Sequence, residues 1–293
     1  MPFSGLMTAL VTPFSNGKLC EETFRATVRR QIEGGVDGLV PCGTTGEAPT
    51  LSRYEQDLLV EWCVEEADGR VPVLAGIGGN NTAVVIENAL RVEALGVNGV
   101  LATTPYYNKP TQAGLVAHFS AIAESTKIEV CLYDVPGRTI TNIDPVTVAE
   151  LAQIDNITSI KDATGDMANA MEIRRLCGDK INILSGDDFT TLPFLAQGGD
   201  GVISVASNVV PSEMKQLVNA SKYGELAEAQ GLTLKLFPLF SALFCESNPI
   251  PVKAAMSMMG LMSGEIRLPL TVISDSARAK LVSAMSELGL SDS

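Results

Sequence analysis

Five short segments of the sequence concentrate side chains able to act on carbonyls and carboxylates. They are Pro41-Cys42-Gly43-Thr44-Thr45-Gly46-Glu47, Thr103-Thr104-Pro105-Tyr106-Tyr107, Tyr133-Asp134-Val135-Pro136-Gly137-Arg138-Thr139, Lys161-Asp162-Ala163-Thr164-Gly165 and Ser185-Gly186-Asp187-Asp188. Lys161 directly follows the apolar run Ile157-Thr158-Ser159-Ile160, so the expected place for its amine is a strand end in a largely desolvated mouth. Desolvation disfavours an ammonium ion, and a neutral amine can attack a carbonyl to give an iminium that serves as an electron sink. The competing reading is a lysine that snorkels to solvent or pairs with Asp162. Tyr133 and Thr45 follow two other apolar runs, where a hydroxyl pair could pass protons. Taken singly, each is more often a packed aromatic or a turn-capping hydroxyl. Arg138, in a Pro-Gly loop, suits bidentate capture of a carboxylate, with solvent exposure as its alternative.

Other chemistries lose support. His118 is the single histidine, and a mid-helix position leaves no Ser-His-Asp triad and no multi-His metal centre. The six cysteines have no C-x-x-C pair and read as buried free thiols. Asp187 and Asp188 read as caps for the following helix, so no metal site is expected. No G-x-G-x-x-G follows a strand and no G-x-x-x-x-G-K-[ST] occurs, which removes the main support for dinucleotide and nucleoside-triphosphate cofactors.

The elements that must position these groups alternate between short apolar runs and amphipathic stretches, the pattern of βα units and a parallel sheet. Strands are predicted at Leu6–Val11, Gly38–Val40, Val73–Ala75, Gly99–Leu101, Glu129–Tyr133, Ile157–Ile160, Ile181–Leu184 and Gly201–Ile203. Helices are predicted at Glu21–Glu33, Ser52–Ala67, Thr82–Leu95, Gln112–Glu124 and Pro145–Ala152, with Ser52 and Asp144 as N-caps. Eight such units fit a (β/α)8 TIM barrel, whose catalytic groups sit at the C-terminal strand ends. An open doubly wound sheet shares the alternation. From about Gly224 only helix signals remain, around Glu225–Phe244, Val252–Met259 and Asp275–Leu288. The expected organisation is a catalytic barrel over 1–223 and a small C-terminal helical region over 224–293.

The 293 residues, 46% hydrophobic and 19% charged, hold ample material for a large core. A net charge of -13, with scattered Lys and Arg, opposes binding to nucleic acid or anionic membranes, though an arginine inside a cleft can still hold an anionic substrate. No stretch is apolar enough to span a bilayer and no signal peptide is evident, so a cytoplasmic protein is expected.

Taken together, these segments resemble the dihydrodipicolinate synthase and N-acetylneuraminate lyase superfamily, from Gly5-Leu6-Met7-Thr8-Ala9-Leu10-Val11-Thr12-Pro13-Phe14 to Arg267-Leu268-Pro269. The resemblance implies a Schiff base on Lys161, pyruvate-carboxylate binding by Gly43-Thr44-Thr45-Gly46-Glu47, and main-chain contributions from Gly186 and Ile203. It also implies that Arg138 holds the carboxylate of L-aspartate 4-semialdehyde, a feature not expected of sialic-acid lyases. Tyr107 is similar to a tyrosine that enters a neighbouring subunit's site and forms a proton relay with Thr45 and Tyr133. The implied reaction joins pyruvate to L-aspartate 4-semialdehyde, giving 4-hydroxy-tetrahydrodipicolinate on the way to diaminopimelate and lysine. It needs no organic cofactor, and a homotetramer built as a dimer of tight dimers is the implied assembly.

The sequence departs from the family at Asp134, where many synthases have asparagine, and at Cys42. In the allosteric lysine site known in some members, Asn80 and Tyr106 match, but Val84 replaces the acid that holds the ligand's α-ammonium. Arg53 and Gln56 also replace residues near its ε-ammonium. Losing a buried charge partner typically costs about 2 kcal/mol or more, so feedback by L-lysine is expected to be weak or absent. Two further readings stay open. One is a sugar-acid or sialic-acid aldolase that shares Lys161 and Tyr133; the other is a non-catalytic ligand-binding barrel.

Overall fold

The computed structural model describes residues 3–290. Its ten strands are β1 (Gly5–Ala9), β2 (Phe14–Ser15), β3 (Lys18–Leu19), β4 (Gly38–Val40), β5 (Leu74–Gly76), β6 (Gly99–Thr103), β7 (Glu129–Asp134), β8 (Ile157–Asp162), β9 (Asn182–Ser185) and β10 (Gly201–Ser204). Eight of them form one parallel sheet in the order β4-β1-β10-β9-β8-β7-β6-β5. A parallel bridge between Leu39 and Val73 joins its two ends, making the sheet a (β/α)8 barrel rather than an open doubly wound array. The remaining two strands, β2 and β3, make a small antiparallel hairpin that the hydrophobic pattern did not signal.

Alternation along each strand separates two apolar regions. Met7, Ala9, Val40, Leu74, Leu101, Cys131, Leu184 and Ile203 fill the barrel, whereas Leu6, Leu39, Val100, Val130, Leu132, Ile160 and Val202 meet the surrounding helices. Those helices lie close to their predicted spans: Glu21–Glu33, Arg53–Ala67, Thr82–Ala94, Gln112–Ser125 and Pro145–Leu151. Ser52 caps its helix through a reciprocal capping box with Glu55. Asp144 occupies the N-cap position but makes no side-chain cap bond. Its carboxylate accepts instead from Asn142 Nδ2 at 3.3 Å, and Pro145, with its preset φ, starts the helix.

The C-terminal helices Leu226–Leu243, Ile250–Met258 and Asp275–Glu287 pack on one another. They are also pinned to the barrel mouth. Lys253 Nζ donates to Glu47 Oε1 at 2.5 Å with both side chains buried, and Glu47 Oε2 accepts from the Arg267 N–H at 3.0 Å. Among the described residues, no helix is long and apolar enough to cross a membrane.

Candidate active site

The ladder places Tyr133 directly beside Lys161, on neighbouring strands β7 and β8. Both strands run past the predicted ends because pairing continues to Asp134 and Asp162, so Lys161 lies within β8 rather than after it. Period-two alternation then decides the chemistry. Tyr133 and Lys161 point into the barrel, whereas Asp134 and Asp162 point outward. The Lys161 side chain is only 6% exposed, and its Nζ lies 4.4 Å from the centroid of the Tyr133 ring.

Asp162 is not its ion partner. Its Oδ1 accepts from the Thr164 N–H and hydroxyl at 2.8 and 2.6 Å, and its Oδ2 accepts from Asn169 Nδ2 at 3.0 Å. Gly186 gives the lysine room. A Cβ there would lie 2.6 Å from Ala163 Cβ and 3.1 Å from Lys161 Cε.

Lys161 lines a cavity of about 560 Å³ with Thr44, Thr45, Tyr133, Arg138 and Gly186. A second lobe of about 480 Å³ shares Thr44, Tyr133 and Arg138 and extends to Gln56 and Tyr106. Thr45 is buried, and its Oγ1 accepts from Asn248 Nδ2 at 3.0 Å. Arg138 sits on the short helix Pro136–Thr139, largely exposed, with Nη2 donating to the Asn248 carbonyl at 3.3 Å. Ile203 belongs to the apolar fill, while Val205 from the end of β10 reaches the cleft wall. Tyr107 is not brought to its own chain's site. It is 91% exposed, on left-handed backbone at φ 72°.

The outward acids brace this mouth. Asp187 Oδ1 accepts from the Phe189 N–H at 3.1 Å, as a cap should. Asp188 does not cap. It accepts from Ser204 Oγ at 2.6 Å, the Val205 N–H at 3.0 Å and the Ala206 N–H at 2.9 Å, tying the ends of β9 and β10 together, and burial pushes its carboxyl up to about 6. Asp134 Oδ2 accepts from the Ile143 N–H at 3.1 Å, closing the loop that carries Arg138, while its Oδ1 has no partner among the described residues. Burial, against Asp162 on the neighbouring strand, pushes this carboxyl up to about 7. His118 is buried with Nδ1 2.9 Å from Thr82 Oγ1, and burial lowers it to about 4. Among the described residues, no group of His, Cys, Asp and Glu could hold a metal ion.

Of the residues named for the allosteric position, Gln56 and Tyr106 line the second lobe. Asn80 Nδ2 donates to the Tyr106 carbonyl at 3.2 Å, and Arg53 is paired with Glu87 at 3.1 Å. Asn248 and Lys253 are the residues that sequence reasoning missed, and Glu47, read with the carboxylate-binding turn, instead commits its carboxylate to Lys253 and the Arg267 N–H. Asn248-Pro249 reads only as a turn before a helix, and nothing local to it indicates a partner 203 residues away.

The family model of the dihydrodipicolinate synthetase family matches residues 2–288. A 4-hydroxy-tetrahydrodipicolinate synthase of Geobacter sp. (strain M21) is 50% identical over 288 residues, covering 98% of this chain and 99% of that protein. The solved dihydrodipicolinate synthase of Thermotoga maritima superimposes with a TM-score of 0.97 at 43% identity, covering 99% of this chain and all of its own. That of Acinetobacter baumannii, solved in complex with pyruvate, gives a TM-score of 0.95 at 39% identity, covering 98% of this chain and 99% of its own.

Proposed function

This chain belongs to the dihydrodipicolinate synthetase family, and from that premise we infer that it condenses pyruvate with L-aspartate 4-semialdehyde to give 4-hydroxy-tetrahydrodipicolinate. The observation that carries the mechanism is the buried amine of Lys161 beside Tyr133, in a cleft that Thr44, Thr45 and Arg138 also line. Lys161 Nζ attacks C2 of pyruvate, and loss of water gives an iminium. Removal of a C3 proton gives the enamine, whose C3 attacks the aldehyde carbon, and the resulting alkoxide takes up a proton. The amino group of the semialdehyde then displaces Lys161 at C2, closing the ring and freeing the lysine. Substrates and product balance with one water released.

Thr44 and Thr45 hold the pyruvate carboxylate, and Arg138 holds that of the semialdehyde. Thr45, Tyr133 and Tyr107 carry protons between intermediates and water. Tyr107 serves the site of a neighbouring subunit, which its exposure supports, in a homotetramer built from tight dimers. The enzyme needs no organic cofactor, and it acts in the cytoplasm as the step that commits carbon to diaminopimelate and lysine.

Intact mass after incubation with pyruvate and sodium borohydride tests the first step. The expected result is a single reduced adduct in the wild type and none in Lys161→Ala. Adding L-aspartate 4-semialdehyde with a coupled reductase tests the second. An adduct without turnover redirects the search to other aldehydes, and no adduct overturns the Schiff base.

A further inference from the structure

Asp134 and Asp162 are register partners at the ends of β7 and β8, both buried and one position beyond Tyr133 and Lys161. They are not equally provided for. Asp162 takes three donors, the Thr164 N–H and hydroxyl and Asn169 Nδ2. Asp134 takes one, the Ile143 N–H at 3.1 Å on Oδ2, and its buried Oδ1 has no partner among the described residues. Two adjacent buried carboxylates repel, so the one with fewer donors is the one that holds a proton. The surroundings agree. Asp144, ahead of the helix Pro145–Leu151, adds a further negative charge, and β6, on the other side of β7, carries no ionisable residue. On the helices over this face, His118 is held by Thr82, Glu124 and Glu150 are exposed, and Arg174 and Arg175 are paired with Asp200 and Glu172. Arg138 itself turns to the Asn248 carbonyl. No cation among the described residues therefore answers Asp134, and burial pushes its carboxyl up to about 7.

What this carboxyl closes is a strained loop. Residues 135–143 leave β7, carry Arg138 on the short helix Pro136–Thr139 and return to Asp134 through Ile143. Within them Ile140 is held at φ 60°, left-handed backbone that a β-branched side chain rarely adopts. Two further ties, Thr139 Oγ1 accepting from Thr104 Oγ1 at 3.1 Å and Thr141 Oγ1 donating to the Pro105 carbonyl at 2.9 Å, fasten the loop to the segment after β6. A charged Asp134 would bind the Ile143 N–H more tightly, but its unpartnered Oδ1 and the neighbouring Asp162 outweigh one such bond. We propose that Asp134 is a positioning residue for the second substrate: its neutral carboxyl seats the far end of this loop and holds Arg138 at the cleft, and ionisation beside Asp162 unseats the loop and loosens Arg138. The pyruvate half of the reaction, on the inward face of the same strands, is left intact. The inference rests on the reading of Arg138 as the residue that holds the semialdehyde carboxylate.

The test compares wild type, Asp134→Asn, Asp134→Ala and Arg138→Ala from about pH 6 to about pH 9, well below every melting temperature, reading kcat/KM for each substrate. Asparagine is nearly isosteric with aspartate and stays neutral throughout. Titrations of the substrates and of the other groups act on wild type and variant alike, so the ratio of the two isolates position 134. For L-aspartate 4-semialdehyde the ratio of Asp134→Asn to wild type should be near one at about pH 6 and rise about threefold or more by about pH 9, while the ratio for pyruvate stays within about twofold. Asp134→Ala, which lacks the tie at every pH, should be about threefold or more slower than wild type towards the semialdehyde at about pH 6 and match it at about pH 9, and it carries the test if the asparagine variant does not fold. Infrared difference spectra, wild type minus variant, should show a carboxylic acid C=O band at low pH that is lost over the same range. If the semialdehyde ratios are flat while Arg138→Ala has lost that substrate, the inference is overturned and the reading of Arg138 stands. A ratio that rises equally for both substrates overturns it as well, since that marks a general weakening of the fold. Absence of the acid band at low pH overturns it by showing the carboxyl ionised throughout. If Arg138→Ala is unimpaired towards the semialdehyde, both readings fall.

Discussion

Among the described residues, the guanidinium of Arg138 makes one hydrogen bond, to the Asn248 carbonyl at 3.3 Å, which leaves donors for a substrate carboxylate. Arg138→Ala should therefore keep the pyruvate adduct but lose about 100-fold or more in kcat/KM for L-aspartate 4-semialdehyde, because a bidentate charged contact is removed. Arg138→Lys should restore little of it, and parallel trapping and coupled assays separate the two effects. An L-lysine series on the wild type should show no inhibition below the millimolar range. Val84 provides no counter-charge for the ligand's α-ammonium, and Arg53, paired with Glu87 at 3.1 Å, offers no acceptor to its ε-ammonium. Asp134 carries a pH prediction. Its folded carboxyl titrates at about 7, above an unfolded value of 3.8, so the native state binds the extra proton between these values. Its contribution to stability is present at low pH and is lost as pH rises through that window. Asn at this position keeps the neutral form at every pH. Asp134→Asn should thus be the more stable protein at pH 8, by an upper bound of about 4 kcal/mol, with the difference closing towards pH 4 in denaturant titrations.

At the scale of elements, the apolar runs located every barrel strand and the amphipathic stretches located the first five of the helices between them, because burial on one or both faces imposes a period that chain neighbours alone display, while Met167–Cys177, Thr191–Ala196 and Pro211–Lys222 were not picked out. Boundaries moved where ladders extended beyond the apolar run, as at Lys161 and Asp162. The hairpin of β2 and β3 was illegible, being too short for a period. Nor could the sequence reveal that the helix Ile250–Met258 is fastened to the Gly43–Glu47 turn by Lys253 and Glu47. That pair is fully buried, so Lys253→Met should destabilise by about 3–5 kcal/mol by stranding the Glu47 carboxylate. Adding Glu47→Gln should recover part of the loss, and chemical denaturation of the two variants measures both.

For the whole molecule, the informative fact is a tyrosine left outside its own chain's cleft. Tyr107 is 91% exposed, although the segment that contains it resembles part of the family's catalytic set. If the partner's cleft is its destination, two inactive variants should complement. Mixing Lys161→Ala with Tyr107→Phe should give mixed dimers with one intact site, so random pairing restores about a quarter of the wild-type rate. No recovery after confirmed subunit exchange would sink the shared site.

The sequence by itself determined the alternation of strands and helices and the chemical type of the strand ends, because hydrophobic period and strand-end residue types are local properties, whereas closure into a barrel rather than an open sheet was decided by the bridge between Leu39 and Val73. It also singled out Lys161, Tyr133, Thr45 and Arg138. The tertiary structure alone decided which groups meet. It turned Asp162 away from Lys161, sent Asp188 to the end of β10, and brought Asn248 to Thr45. Strand alternation, barrel closure and packing fix those distances, and a contact between residues some two hundred positions apart leaves no trace in the local pattern of either one.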